Sequence, residues 1–360
     1  MRLLFVFGTR PEIIKIAPVV HAARKAGHEC RLVHTGQHYS PEMSAEILAD
    51  TGIKEDANLG CSEGSAVSRL ATMLSGIENE LKKQYDCTLA EGDTDSVLAA
   101  ALASHKHGTP FAHIEAGLRS FDRCMPEENN RVLTDQVSDF LFAPTKWSYD
   151  YLLRSSECRV DRVFLTGNTI MDAMETAMKK AAKSDVLSKN SLGREEYAVV
   201  TIHRAENVDK KERLAAILSS LEGIDRTIVF PMHPRTEKRI KEFGLGRQLS
   251  NLKVIKPLGY IDFIALCMNA SFIISDSGGI QEECTAYKKP VVLVRDNTER
   301  PEVLGTFVHL AGADKKKIQS AISFIQSNHD SIIAELKRIP SPYGDGKSGH
   351  RMVKILEGYF

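Results

Sequence analysis

The residues best suited to acid–base chemistry in this 360-residue chain are three carboxylates, two of them at the ends of short apolar runs. Asp93 sits in Glu91-Gly92-Asp93-Thr94-Asp95. Glu115 sits in His113-Ile114-Glu115-Ala116-Gly117-Leu118-Arg119, and Glu127 stands beside Glu128 after Pro126. Carboxylates so placed can take and return protons, each general acid or base being worth about 10² to 10⁴ in rate. Each has a plainer reading too. Asp93 suits a helix cap, and Glu127 and Glu128 suit the positive end of a helix. Glu115 is harder to explain by capping, because a loop follows it.

Bases and glycine turns complement these acids. Phe7-Gly8-Thr9-Arg10-Pro11-Glu12 directly follows the run Leu3 to Phe7. Asp276-Ser277-Gly278-Gly279-Ile280-Gln281-Glu282-Glu283 directly follows Phe272 to Ile274. A strand feeding a helix through a tight turn offers backbone N–H groups to an anion. Arg10 and Lys15 belong to the first turn and its helix, where bases oppose the helix dipole and so imply a partner anion. His203-Arg204 follows Ala198 to Ile202, and Arg300 belongs to Asn297-Thr298-Glu299-Arg300-Pro301 after another apolar run. A lone histidine is more often structural than catalytic, glycine pairs occur in many turns, and Phe263 reads as core. Two anion turns with acids between them nevertheless suggest a nucleotide-sugar enzyme with its substrate in an interdomain cleft.

The elements that must position these residues alternate. Strands are expected at Leu3 to Phe7, Arg31 to His34, Cys87 to Ala90, Phe111 to Ile114, Phe140 to Ala143 and Val163 to Thr166. After a polar segment around Lys183 to Glu196 the pattern restarts. Its strands are Ala198 to Ile202, Thr227 to Pro231, Leu252 to Ile255, Phe272 to Ile274 and Val291 to Val294. Helical stretches separate most of them, among them Pro11 to about Ala26, Val67 to Gln84 and Ser96 to His107. Pro18 is expected to kink or break the first. Short apolar strands alternating with helices mean parallel sheets covered on both faces, with ligands at the carboxyl ends of the strands. The pattern predicts an α/β protein of two doubly wound domains. A single (β/α)₈ barrel is the alternative, disfavoured by the polar break. GxGxxG is absent after the first strand, so a nicotinamide or flavin site is not indicated.

Composition sets the outer limits. Hydrophobic residues make up 42% and charged residues 26%, normal for a globular protein. Lys plus Arg equals Asp plus Glu at 47 each, which argues against a nucleic-acid partner. The seven cysteines are scattered without a CxxC pair, which argues for reduced thiols in a cytoplasmic protein and against a zinc site. The opening apolar run is too short for a signal peptide or a membrane span.

The strings quoted above resemble those of the non-hydrolysing UDP-N-acetylglucosamine 2-epimerases. They are joined by Arg131 after Glu128, Thr166-Gly167-Asn168-Thr169, Ser275 before Asp276, Arg295-Asp296 before Asn297, Glu302 after Pro301, and Pro342-Tyr343-Gly344-Asp345-Gly346. They run in one order from residue 7 to residue 346. Thr35-Gly36-Gln37-His38-Tyr39 resembles archaeal members in particular. The resemblance implies a GT-B fold with Rossmann-like domains at 1–170 and 171–346, and a last helix within 347–360 packing back on the first domain. It implies reversible C2 epimerisation of UDP-N-acetylglucosamine for surface polysaccharide synthesis, by anti elimination of UDP and syn re-addition through bound 2-acetamidoglucal. No redox or metal cofactor is implied, and a homodimer is.

The same resemblance gives Asp93, Glu115, Glu127 and His203 catalytic roles. Arg10, Lys15, Arg131, Arg300 and the Ser277, Gly278 and Gly279 turn become substrate-binding. Glu283 would accept from the ribose hydroxyls, Phe263 would lie near uracil, and the backbone around Leu258 would read its edge. One departure stands out. Gln37-His38 is followed by Tyr39-Ser40-Pro41, and Gly64 to Thr72 holds no glutamine, which puts the substrate activation of many bacterial members in doubt. A GT-B glycosyltransferase, a hydrolysing epimerase and a non-catalytic nucleotide-sugar sensor are the competing functions.

Overall fold

The computed structural model describes residues 1–37, 47–155 and 159–360. His38, Tyr39, Ser40 and Pro41, on which the substrate-activation reading rests, lie outside them, as does Cys158. The chain divides into two units, Met1–Glu175 with Pro342–Phe360, and Thr176–Ser341.

The first unit carries seven parallel strands: β1 (Arg2–Phe7), β2 (Glu29–His34), β3 (Ala57–Asn58), β4 (Cys87–Glu91), β5 (Phe111–Ile114), β6 (Phe140–Ala143) and β7 (Val163–Leu165). Their spatial order is β3-β2-β1-β4-β5-β6-β7. Leu3 to Phe7 are fully buried, as a strand covered by helices on both faces requires. The helix Arg10–Lys25 buries Ile13, Ile16, Val19, Val20 and Ala23 along one stripe. Each such side chain contributes about 1.5–3 kcal/mol when taken out of water. The helix continues through Pro18 rather than ending there.

The helix Ser348–Glu357 packs against Arg10–Lys25 within this unit. Gly349 permits that approach, since a Cβ there would stand 2.8 Å from the Pro18 carbonyl oxygen. The chain's last segment therefore covers its first helix.

The second unit repeats the plan with β8 (Tyr197–Thr201), β9 (Thr227–Pro231), β10 (Leu252–Ile255), β11 (Ile273–Ser275), β12 (Val291–Leu293) and β13 (Val308–Leu310). Their order is β10-β9-β8-β11-β12-β13, again all parallel. Two open sheets exclude the single barrel. In each sheet the strand order reverses once, between β1 and β4 and between β8 and β11. Loops leaving the two strands at such a reversal run to opposite faces, which opens a crevice at their carboxyl ends. The edge strands β3 and β13 were not expected from the sequence. Two or three residues long, and ending in an exposed Asn58 or Leu310, they leave no apolar run to detect.

Candidate active site

In the first unit the reversal point is filled by charge. Glu12 is buried, accepts hydrogen bonds from the Gly8 amide (2.6 Å) and the Thr9 amide (2.9 Å), and accepts from the Thr94 hydroxyl. Burial pushes its carboxyl up to about 7, against these three donors. The first turn thus offers those two amides to the chain's own Glu12. Thr9-x-x-Glu12 is a capping-box spacing, and that local signal was available in the sequence. Arg10, beside it, keeps a buried Nε with no hydrogen-bond partner.

Lys15 is buried one turn further along the helix. Its ammonium ion-pairs with Glu115 and lies 3.3 Å from Glu91 Oε1. Glu115 follows β5 directly, is buried, and adopts φ +74°, a left-handed backbone that costs a non-glycine residue about 1–3 kcal/mol. Its amide and that of Ala116 both donate to the Phe142 carbonyl at 3.1 Å, which holds the turn. Strain held in place by bonds at a strand end is a mark of a functional position.

Asp93, half-buried after β4, receives Arg131 Nε at 2.9 Å and Nη2 at 2.6 Å. Arg131 also donates to Glu128 at 2.9 Å. Glu128 is buried and accepts from the Ser120 and Phe121 amides, so it anchors the loop that follows Glu115. Its neighbour Glu127 is exposed in the first turn of the helix Pro126–Val137. Beneath the loop, Asp135 accepts from Arg119 Nη2 and bonds His113 Nδ1, each at 2.6 Å, and takes the Gly117 amide at 3.2 Å. The other ring nitrogen of His113 is 2.8 Å from the Gly92 carbonyl, and this fixes the turn that presents Asp93.

In the second unit Asp276 is fully buried and organises the turn after β8. It accepts from the His203 amide (3.0 Å), the Arg204 amide (2.9 Å) and Asn207 Nδ2 (3.2 Å), and lies 3.2 Å from His203 Nδ1. Burial lowers the His203 imidazole below its ordinary range, while the Asp276 charge works the other way. The helix Gly278–Tyr287 opens at Ser277, whose side chain makes no capping bond. Arg300 crowds this turn, since a Cβ on Gly278 would meet its Nη1 at 3.1 Å. The guanidinium itself is held by Glu282 and Glu299, both at 2.5 Å. Glu283 is buried in the same helix, and Leu258 and Phe263 are half-buried near the amino end of the helix Tyr260–Met268.

The structure thus brings Lys15 together with Glu115, and Asp93 with Arg131, in the first unit. In the second it places His203 on Asp276, the residue just before Ser277, and Arg300 beside Gly278.

A family profile described as UDP-N-acetylglucosamine 2-epimerase matches residues 21–357. The UDP-N-acetylglucosamine 2-epimerase of Methanocaldococcus jannaschii is 41% identical, with 99% of each chain covered. The chain belongs to the UDP-N-acetylglucosamine 2-epimerase family. The crystal structure of the Methanocaldococcus jannaschii enzyme in complex with UDP-GlcNAc and UDP superposes with a TM-score of 0.88, covering 99% of this chain and 100% of the other at 41% identity. The Neisseria meningitidis enzyme bound to UDP-GlcNAc gives 0.89 at 32% identity, with 99% and 100% covered. The fold is accordingly the GT-B arrangement of two Rossmann-like units, and the chain is of an isomerase family of the non-hydrolysing type.

Within that family frame, sequence reading passed over Glu12, Glu91, Asp135 and Asp276 as site builders. The first has the capping-box signal. Glu91 meets Lys15 from another element, Asp276 bonds across 69 to 73 residues and Asp135 across 16 to 22, and such separations leave no local pattern.

Proposed function

We propose that this protein interconverts UDP-N-acetylglucosamine and UDP-N-acetylmannosamine by inverting C2, with no release of free sugar. The observation that carries this reading is the strained, buried Glu115 paired with Lys15, directly after the strand that neighbours the one leading to Asp93. Binding a nucleotide needs no such acids, whereas moving a C2 proton does.

C2–H has no adjacent carbonyl to acidify it, so direct abstraction faces a high barrier. Expelling the anomeric diphosphate builds positive charge at C1, and C2–H becomes far more acidic. We therefore assign anti elimination of UDP, a bound 2-acetamidoglucal, and syn re-addition with the proton returned on the other face. The acid–base work falls to Asp93, Glu115 and Glu127 of the first unit, with Arg131 and Lys15 orienting the first two. The uridine diphosphate falls to the second unit, to His203 and the Ser277, Gly278 and Gly279 turn, with Arg300 shaping that turn. Arg10 adds positive charge for the departing phosphates. Preorganised donors of this kind contribute several kcal/mol where charge develops. Glu283 accepts from the ribose, and Leu258 and Phe263 lie against uracil.

No helix among the described residues is long and apolar enough to cross a membrane. Cys30, Cys61, Cys87, Cys124, Cys267 and Cys284 carry free thiols, which suits a reducing cytoplasm. We also take the protein to act as a homodimer whose product feeds surface polysaccharide synthesis. Incubation with UDP-N-acetylglucosamine alone tests the activity. The expected products are UDP-N-acetylmannosamine and residual substrate at a constant ratio. Free N-acetylmannosamine would make the enzyme a hydrolysing one, and binding without turnover would leave a transferase or a sensor.

A further inference from the structure

Glu91 has no part in the scheme above, yet it stands at its centre. It closes β4 at 2% exposure, and Glu115 directly follows β5 at 7%. β4 and β5 are parallel neighbours with Glu91 opposite Ile114, so the two carboxyl groups occupy one sheet end. Lys15 pairs with both. Glu12, buried three residues before Lys15, adds a third carboxyl group. The charged groups around Glu91 are thus Lys15 and Glu12 from the first helix and Glu115 after β5. Beyond them on its own strand's exit lies Asp93, already paired with Arg131. His113 of β5 is engaged by Asp135 and the Gly92 carbonyl.

One buried ammonium paired with two buried carboxyl groups cannot balance both as anions, and uncompensated buried charge is strongly disfavoured. The cluster must retain protons. We propose that Glu91 is a positioning residue: as a neutral acid it donates its proton to Glu115 and, with Lys15, holds that carboxylate ionised and oriented for exchange at the sugar. Burial raises Glu91 well above the ordinary carboxylate range; Lys15 opposes this, and Glu115 and Glu12 reinforce it. At higher pH Glu91 ionises, places a second negative charge against Glu115, and the orientation is lost. The inference rests on the acid–base role given to Glu115 under the proposed function.

Two readouts test it on the full chain. In protein labelled with ¹³C at the glutamate carboxyl carbon, one signal stays at the neutral-acid position at pH 7 and is missing from Glu91→Gln. In kinetics with UDP-N-acetylglucosamine, the alkaline fall in kcat is lost in Glu91→Gln, whose amide donates to Glu115 at every pH. Glu91→Ala, which cannot donate, lowers kcat about 100-fold with KM within about twofold, as misplacement of a reacting group does. Glu91→Gln recovers most of that loss. A Glu91 signal ionised at pH 7, or an alkaline limb in Glu91→Gln that matches the wild type, overturns the inference. A wild type that does not epimerise defeats the proposed function instead, and the carboxyl spectrum then decides the state of Glu91 by itself.

Discussion

Replacing Glu115 by glutamine lowers kcat by about 10² to 10⁴, the range for losing a general acid or base. The amide has the same size but cannot take a proton. Its charge is gone from beside Lys15, so an alternative, purely structural loss has to be weighed. Removing one partner of a buried pair costs about 3–5 kcal/mol when the other is left uncompensated. Here Lys15 still has Glu91 Oε1 at 3.3 Å, a group free to ionise once the Glu115 charge is gone, and the strained turn at Glu115 is held by backbone bonds to Phe142. The fold should therefore survive, with KM changed by no more than about threefold while kcat collapses. Steady-state kinetics beside a thermal melt separates the two. A variant with kcat within about threefold of the wild type would remove Glu115 from the chemistry.

Asp135→Ala is expected to be the most destabilising single carboxylate removal in the first unit, by about 3–5 kcal/mol. Its side chain is 1% exposed and holds His113, Arg119 and the Gly117 amide together. Without it, the buried Arg119 guanidinium loses its only carboxylate at ion-pair distance among the described residues. The Tyr151 ring, with its centroid 4.9 Å from the guanidinium, offsets only about 0.5–2 kcal/mol. The stability effect has a definite pH signature. Burial would raise the Asp135 carboxyl, but the charges and hydrogen bonds of His113 and Arg119 outweigh it, so folding holds it below the ordinary aspartate range. A carboxylate depressed by folding stabilises the protein above its unfolded value and loses that contribution as pH falls through the folded one. Urea unfolding of wild type and Asp135→Ala should thus differ by a constant amount above about pH 5 and converge below about pH 4. A difference under about 1 kcal/mol at pH 7, or one that widens in acid, would contradict this account.

Much of the architecture is legible in the chain because parallel strands buried on both faces must be written as uninterrupted apolar runs. Leu3 to Phe7 and Phe140 to Ala143 are such runs, and the residue after each run falls at a carboxyl end where ligands bind. That is why Asp93, Glu115, His203 and the Ser277 turn could be singled out. What escaped has a different cause. Asp276 and Asp135 work through backbone amides and side chains far along the sequence, and nothing local marks an aspartate as a buried acceptor. The first turn shows the converse. Its glycine and helix start signal an anion site, but Glu12 at the third helical position already occupies its amides. Ser277 is followed three residues later by Ile280, so the second turn has no capping box of this kind.

The central claim is that the sugar loses and regains its C2 proton through carboxylates that exchange with solvent. The most direct measurement is NMR at C2 after turnover of UDP-N-acetylglucosamine in D₂O. The account predicts UDP-N-acetylmannosamine with deuterium at C2, and label appearing in recovered substrate as the reaction reverses. An epimerised product that keeps protium at C2 would contradict it.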